Sequence, residues 1–222
     1  MNPTLEINTM TENLHIQCPD SNQPNKITPN QTEQEFTLIA KILSQKPLNL
    51  NAFKSSIIKA WNPKKKITTN ILESNTVAFV FEDESDLDKV HNLSWTFRDH
   101  QIILAKWNSD QALGEVNLTS TIFWIQVFGI PVCYMNQNTA RIIIGNEIGT
   151  FCKADLQLAS NKWKKSLRIQ IKLDITKPLT SFIILSCGDR PGFRIEIRYE
   201  RLSDFCYNCG LLGHKIGRLF WK

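Results

Sequence analysis

The segment ITTNILESNTVAFVFEDESD, residues 67–86, contains the pattern from which the surrounding architecture can be inferred. Ile67–Leu72 and Thr76–Phe81 are rich in β-branched and aromatic residues and are separated by a short polar turn, which is typical of paired strands. The carboxylates that close the segment precede Leu87 and Val90. Acidic side chains are favoured at a helix N-terminus. The segment therefore predicts two strands followed by a helix.

The flanking sequence extends this series on both sides. The apolar run Phe36–Leu43 predicts a strand, and apolar residues recur at helical spacing over Leu50–Trp61. Gln101–Trp107 predicts a final strand. The order over 36–108 is thus β-α-β-β-α-β, the order of the ferredoxin-like sandwich, which many nucleic-acid- and protein-binding modules use.

The second half of the chain predicts a mostly antiparallel α+β sheet region. Leu167–Asp174 and Arg194–Glu200 alternate apolar and polar residues, as strands with one solvated face do. The predicted organisation is a disordered polar tail over 1–34, a ferredoxin-like domain over 35–108, a linker over 109–120, a basic α+β sheet region over 121–203 and a short C-terminal segment with two cysteines and a histidine over 204–222.

The charge of the chain is unevenly distributed. The net charge of the 222 residues is +5, but residues 1–152 hold 12 Lys/Arg against 15 Asp/Glu, whereas residues 153–222 hold 14 against 6. A positive region attracts polyanions, and phosphate backbones are the commonest such partner. On charge alone, a basic surface that merely aids solubility is an equal alternative.

The sequence indicates neither a membrane span nor a secretory signal, because it lacks a long apolar stretch and a basic, apolar N-terminus. We therefore expect an intracellular, reducing location, with nucleus and cytoplasm both open. The sequence also lacks the common phosphate-binding, serine-hydrolase and metalloprotease motifs, so we expect no enzymatic activity and no small-molecule substrate.

Two groups of mostly basic residues are candidates for contact with single-stranded nucleic acid. In the first, Lys162, Lys164 and Lys165 flank Trp163, a combination that suits phosphate contact and base stacking. The alternative is that Trp163 docks on the sheet while the lysines stay solvated. The further candidates lie on the predicted strands and near the C-terminus: Arg168, Lys172, Arg194, Arg198, Tyr207, Lys215 and Arg218.

The most specific feature lies at the C-terminus. Cys206, Cys209 and His214 have the spacing C-x2-C-x4-H, and thiolates with an imidazole are ligands that zinc prefers. Gly210 follows the second cysteine, where a positive φ would turn backbone amides toward sulfur. A fourth ligand would fall at position 219, which is Leu219.

The missing ligand leaves several outcomes open. Water, the C-terminal carboxylate of Lys222 or a residue of a partner chain could complete the site, or the site could bind zinc too weakly to fold. Structural zinc stabilises small modules with a full ligand set by roughly 10 to 16 kcal/mol. Because Leu219 replaces one ligand, we expect weaker binding than that, and zinc is a conditional cofactor.

These residues resemble the retroviral-type zinc knuckle, C-x2-C-x4-H-x4-C, in the first three ligands, both glycines and the aromatic Tyr207. Over about 36–218 the chain also resembles a plant domain of unknown function that precedes a zinc knuckle in proteins related to LINE-type retroelements. That resemblance rests on Trp61-Asn-Pro, Trp95, Phe123–Pro131 and above all Tyr199–Cys209. It implies a retroelement-derived protein that binds RNA or DNA.

The sequence as a whole thus predicts a non-catalytic protein that binds single-stranded nucleic acid. The alternative is a protein–protein interaction module with an inert knuckle. The choice of RNA or DNA, the base preference and the oligomeric state stay open.

Overall fold

A computed structural model of the chain describes residues 36–108, 110–145, 148–156, 165–187 and 190–215. These residues lie in one compact unit and form two five-stranded antiparallel sheets and three α-helices. The α+β class is therefore confirmed. The predicted tail over 1–34 lies outside the described residues.

The first sheet has the strand order β2-β3-β1-β5-β4. Its strands are β1 (Phe36–Ile42), β2 (Ile67–Glu73), β3 (Thr76–Phe81), β4 (Trp95–Phe97) and β5 (His100–Trp107), and its helices are α1 (Leu50–Trp61) and α2 (Glu84–His91). Every element predicted for this half is present, and β1 lies between β3 and β5 as an antiparallel neighbour of both.

The short strand β4 is absent from the sequence-based prediction. It pairs with the start of β5 through a two-residue turn formed by Arg98 and Asp99, whose φ angles are +46° and +65°. Turns of this conformation usually carry Asn-Gly or Asp-Gly, because residues with a Cβ are strained at positive φ. Since neither usual pair stands here, the sequence lacks the signal by which a hairpin is recognised.

The first core lies between the sheet and its two helices. Phe53 and Trp61 of α1 and Leu87 of α2 are buried against Phe79 of β3. The rings of Trp61 and Phe79 meet edge to face, with a distance of 4.6 Å between their centroids. Asn49 caps α1 by accepting a hydrogen bond from the backbone N–H of Ala52.

The second sheet has the order β7-β8-β6-β10-β9. Its elements are β6 (Ser120–Phe128), α3 (Gln137–Ile144), β7 (Thr150–Asp155), β8 (Ser166–Asp174), β9 (Phe182–Cys187) and β10 (Arg190–Tyr199). Helix α3 covers one face, where Ile143 and Ile144 pack with Ile125 and Ile169 in a second core. The opposite face carries Arg168, Lys172, Arg194 and Arg198 and is called here the polar face.

Three boundaries differ from the sequence-based prediction by three or more residues. Helix α3, expected to reach Ile148, ends at Ile144 because Gly145 adopts a φ of +45° and its N–H closes the last turn on Arg141. Strand β10 starts at Arg190, four residues earlier than expected, with a register irregularity between Arg190 and Phe193. Strand β7 ends at Asp155 rather than near residue 158.

The connection between the sheets is partly packed. Residues Leu113–Glu115 form a 3₁₀ turn, and Val116 is buried with Ile39 and Ala78 on the helix-free face of the first sheet. The predicted boundaries of the domains and of the linker stay predictions. Within the described part of the chain, no helix has the length and hydropathy needed to cross a membrane.

Candidate zinc and nucleic-acid interface

Cys206, Cys209 and His214 come together in one small cluster. Their ligand atoms all lie within 4.8 Å of one another, and the distance from Cys209 Sγ to His214 Nε2 is 3.2 Å. Cys206 is buried, whereas Cys209 is exposed. The three predicted ligands thus converge, as a metal site requires.

The backbone around these residues forms a tight turn. The N–H of Gly210 donates to the carbonyl of Cys206 at 2.8 Å, and the N–H of Cys206 donates to the carbonyl of Leu211 at 2.9 Å. Gly210 and Gly213 have φ angles of +75° and +90°, so the positive φ expected at Gly210 is confirmed. A Cβ at Gly210 would also lie 3.1 Å from the Cβ of Pro178. The positive φ and the close approach of Pro178 therefore both favour glycine at position 210.

The turn stabilises the thiolate form of Cys206. The backbone N–H of Cys209 bonds to the sulfur, assisted by the N–H of Asn208, and lowers the pKa of the Cys206 thiol to about 7. A thiolate is the form that binds metal. The donor set therefore fits zinc, which Cys206, Cys209 and His214 would hold and which would crosslink the turn.

Within the described part of the chain, the surroundings of this cluster supply no fourth ligand. Among residues 36–108, 110–145, 148–156, 165–187 and 190–215, no further His, Cys, Asp or Glu joins the three. Leu219, Lys222 and Arg218 lie outside the described residues. Water, the C-terminal carboxylate and a residue of a partner chain therefore all stay open as the fourth ligand.

Tyr207 stands beside the cluster with 86% of its side chain exposed. Its ring meets Phe205 edge to face at a centroid distance of 5.0 Å. A large, exposed ring held by a neighbour is suited to stacking on an unpaired base. The exposed Lys215 follows the cluster, and its Nζ lies 3.6 Å from a carboxylate oxygen of Asp99.

The knuckle segment, defined as 204–215, is packed against both sheets. The carboxylate of Asp204 is buried and hydrogen-bonds the imidazole of His100 at the start of β5. Leu212 is buried in the second core. The carbonyl of Gly210 accepts a hydrogen bond from the N–H of Leu179 at 2.8 Å. No partner for His100 is recognisable in the sequence, because Asp204 lies far away in the chain.

The basic residues predicted on β8 and β10 all lie on the polar face of the second sheet. Cross-strand pairing places Gln126 of β6 between Arg168 and Arg198. Lys172 and Lys165 are exposed. Lys162, Trp163 and Lys164 lie outside the described residues.

Arg168 is already engaged within the protein. It donates two hydrogen bonds of 2.8 Å to the carboxylate of Glu200, and its guanidinium stacks over Trp124 at 3.8 Å. The guanidinium also lowers the pKa of Glu200. Its predicted contact with a nucleic acid stays a prediction, but it would compete with these partners.

Arg194 and Arg198 are more accessible. Arg194 lies over the ring of Phe182 at 4.1 Å, and Arg198 lies over Phe128 at 4.6 Å. Phe182 is 44% exposed, and Arg198 has an exposed ion-pair partner, Glu196, at 3.4 Å. Sequence reasoning missed the two aromatic rings, although Phe128 and Phe182 both carry the β-strand signal, because only the register places them beside arginines.

Two protein families and a plant protein are similar to parts of the chain. Residues 30–115 match the family described as Domain of unknown function (DUF4283), and residues 173–219 match the family described as Zinc knuckle. The Uncharacterized protein At4g02000 of Arabidopsis thaliana is 29% identical over 127 residues, which are 54% of this chain and 37% of that protein. The chain thus corresponds to little more than a third of this relative's length.

No solved structure matches the chain. The two family matches give the chain a DUF4283 domain followed by a CCHC-type zinc knuckle. The zinc-knuckle family implies zinc binding and points toward nucleic acid as the ligand.

Proposed function

We propose that this protein binds single-stranded RNA or DNA and performs no reaction on it. The convergence of Cys206, Cys209 and His214 beside the exposed ring of Tyr207 carries the proposal. In such a module, the metal holds the turn while the aromatic ring stacks on an unpaired base. The match to the zinc-knuckle family supports the same role.

The polar face of the second sheet would provide a second contact area. Arg194 and Arg198 lie over aromatic rings and remain exposed, so they can reach phosphates while Phe182 offers a partly exposed ring. Stacking combined with positive charge is the usual means of binding single strands without sequence preference.

Zinc binding in this chain is proposed to be weaker than in a complete knuckle. Three residues supply ligand atoms, and the fourth position of the family pattern is Leu219. Because backbone hydrogen bonds join Cys206 to Gly210 and Leu211, and Leu212 is buried in the second core, the turn has part of its stability without metal.

Two finer statements about architecture and origin belong to this proposal. The first sheet with α1 and α2 is proposed to be a ferredoxin-like unit, extended by the edge strand β4; the order β2-β3-β1-β5 supports this. A retroelement-related origin is proposed from the resemblance of Tyr199–Cys209 to that class of plant proteins. The plant relative is consistent with it.

A titration of the full chain with labelled oligo(U) and oligo(dT) at two salt concentrations tests the function. We expect binding that falls steeply between about 50 and 200 mM salt, because phosphate contacts release counterions. Tyr207→Ala should weaken binding by roughly 1 to 3 kcal/mol, the usual value of one base–aromatic stack. Tyr207→Phe keeps the ring and should bind like the wild type.

Absence of binding, or binding indifferent to salt, would reject the proposal in favour of the protein-interaction alternative. Equal affinities of Tyr207→Ala and Tyr207→Phe for the oligonucleotide would show that the ring of Tyr207, and with it the knuckle, is not part of the binding interface.

A further inference from the structure

A groove runs between the knuckle segment and two turns of the first sheet. Two hollows of about 580 Å³ each adjoin there, and both are lined by Asp99, Asp204 and Lys215. One also contains Tyr207, and the other contains Lys46 and Arg98. Each hollow falls within the range of roughly 300 to 1,000 Å³ that is usual for small-ligand sites.

Lys46 is held in a braced loop. The side chain of Asn75 donates to the carbonyls of Ser44 and Lys46 and accepts a hydrogen bond from the N–H of Leu48. Asn75 is itself buried. The loop that carries the exposed lysine is therefore held by three hydrogen bonds to one buried side chain.

Arg98 is presented by a strained turn. Both Arg98 and Asp99 have positive φ, and Asp204 across the groove has a φ of +51°. Such backbone conformations cost roughly 1 to 3 kcal/mol each and tend to persist where function requires them. The guanidinium of Arg98 rests over Phe97 at 5.4 Å and is exposed to the groove.

The charges in the groove favour an anion. Lys46, Arg98 and Lys215 provide three cations, whereas the carboxylate of Asp204 is buried and hydrogen-bonded to His100. Asp99 is the exposed acid, and the Nζ of Lys215 lies 3.6 Å from its carboxylate and 3.9 Å from that of Asp204. The three cations still exceed the two carboxylates, with Lys46 and Arg98 away from the lysine that these acids contact.

We infer that this groove binds the sugar-phosphate backbone of the strand whose base stacks on Tyr207, with Lys46 and Arg98 contacting phosphates. The inference rests on the proposed function and extends it to the first sheet. A DUF4283 domain would then supply half of the binding cleft, rather than only carry the knuckle. Rigid turns that hold cations in place reduce the entropic cost of binding.

Charge-neutral variants of the full chain test this assignment with the same labelled oligo(U) and oligo(dT). Arg98→Asn suits the turn, since Asn tolerates positive φ, and Lys46→Gln keeps the braced backbone. Lys59→Gln, on the exposed side of α1 near its C-terminal end, is the matched control. Each groove variant should lower affinity about two- to fivefold. The slope of log affinity against log salt should shrink by about 0.7 for each contact removed.

Asp99→Asn should act in the opposite direction. It keeps a residue that accepts positive φ and removes one of the two carboxylates beside Lys215, so the oligonucleotide should bind more tightly.

The two proposals fail in different ways. If the wild type binds and Tyr207→Ala weakens binding, but Arg98→Asn and Lys46→Gln behave like Lys59→Gln, the groove assignment is wrong and the proposed function stands. If the wild type does not bind, both are wrong.

Discussion

The imidazole of His100 and the carboxylate of Asp204 form a hydrogen bond between residues 104 positions apart in the chain. His100 begins β5 of the first sheet, and Asp204 begins the knuckle segment. The bond therefore ties the candidate zinc site to the first sheet. The side chain of Asp204 is only 6% exposed. Its carboxylate contacts this partner and also lies 3.9 Å from the Nζ of Lys215.

Asp204→Asn should destabilise the protein. The amide keeps the shape and tolerates the positive φ at this position, but it loses a charge-assisted hydrogen bond in a buried place. We expect a loss of about 1 to 3 kcal/mol in the free energy of unfolding, measured by urea denaturation. Asp88→Asn is the control, since Asp88 pairs with Lys106 at 2.6 Å on an exposed surface and should cost less than about 1 kcal/mol. Equal effects of the two variants would show that the buried link is unimportant.

Leu212→Ala should also weaken the whole fold, because Leu212 joins the knuckle segment to the second core. Its side chain is 8% exposed and packs with the residues of α3 and the sheet. We expect a cost of about 2 to 4 kcal/mol, the usual range for a truncated buried leucine. The control Ile142→Ala removes a side chain that is 62% exposed on α3 and should change stability by no more than about 0.5 kcal/mol. A harmless Leu212→Ala would mean that the knuckle segment is not packed as the structure describes.

Leu219→Cys should raise zinc occupancy, because it restores the ligand set C-x2-C-x4-H-x4-C. The wild type should carry zinc below one ion per chain after purification, and Leu219→Cys should approach one. The thermal midpoint of the variant should fall more on treatment with a chelator, since metal binding is linked to folding. Leu219→Ser is the control, because it removes the apolar side chain without adding a thiolate. Full occupancy in both the wild type and Leu219→Cys would refute the importance of the missing ligand.

Glu200→Gln should change how stability depends on pH. Arg168 lowers the pKa of Glu200 in the folded state below the ordinary carboxyl value of 4.5. The ion pair therefore stabilises the protein above pH 4.5, and this contribution is lost as the pH falls through the lower, folded pKa. The variant should be less stable than the wild type at neutral pH and should lose less stability on acidification.

Urea unfolding between about pH 7 and pH 3 measures this difference. Glu196→Gln serves as the control, because the carboxylate of Glu196 is 54% exposed and pairs with Arg198 at 3.4 Å. Its acid dependence should follow the wild type. Identical pH profiles for Glu200→Gln and the wild type would contradict the assigned role of the Arg168–Glu200 pair.

Much of the fold follows from short-range patterns. The alternation in Leu167–Asp174 and the β-forming residues of Thr76–Phe81 predicted strands that the structure contains. The spacing C-x2-C-x4-H brought three ligands together because five or fewer residues separate each neighbouring pair, so a single turn can place them. Strand β4 was not predicted, because Arg98 and Asp99 adopt a turn that their residue types disfavour.

The candidate site was predicted less completely than the fold. The list of basic residues on β8 and β10 treated Arg168 as available for phosphate, whereas Glu200 and Trp124 already engage it. Its partner Glu200 lies 32 residues away, directly after the end of β10. Lys46 and Arg98 were not candidates, because neither stands in a motif, and only the folded chain places them in one hollow with Lys215 of the knuckle segment.

Periodicity, capping and ligand spacing act over a few residues. These features of the amino-acid chain were enough for all helices and strands except β4, for the antiparallel character of the second half and for the metal cluster. Pairing of the strands acts over tens of residues. It decided that His100 meets Asp204, that Arg168 is neutralised by Glu200, and that the knuckle segment shares a groove with the turns of the first sheet. Such contacts depend on register and packing, where burial of two cores fixes the relative positions of side chains that carry no local signal of one another.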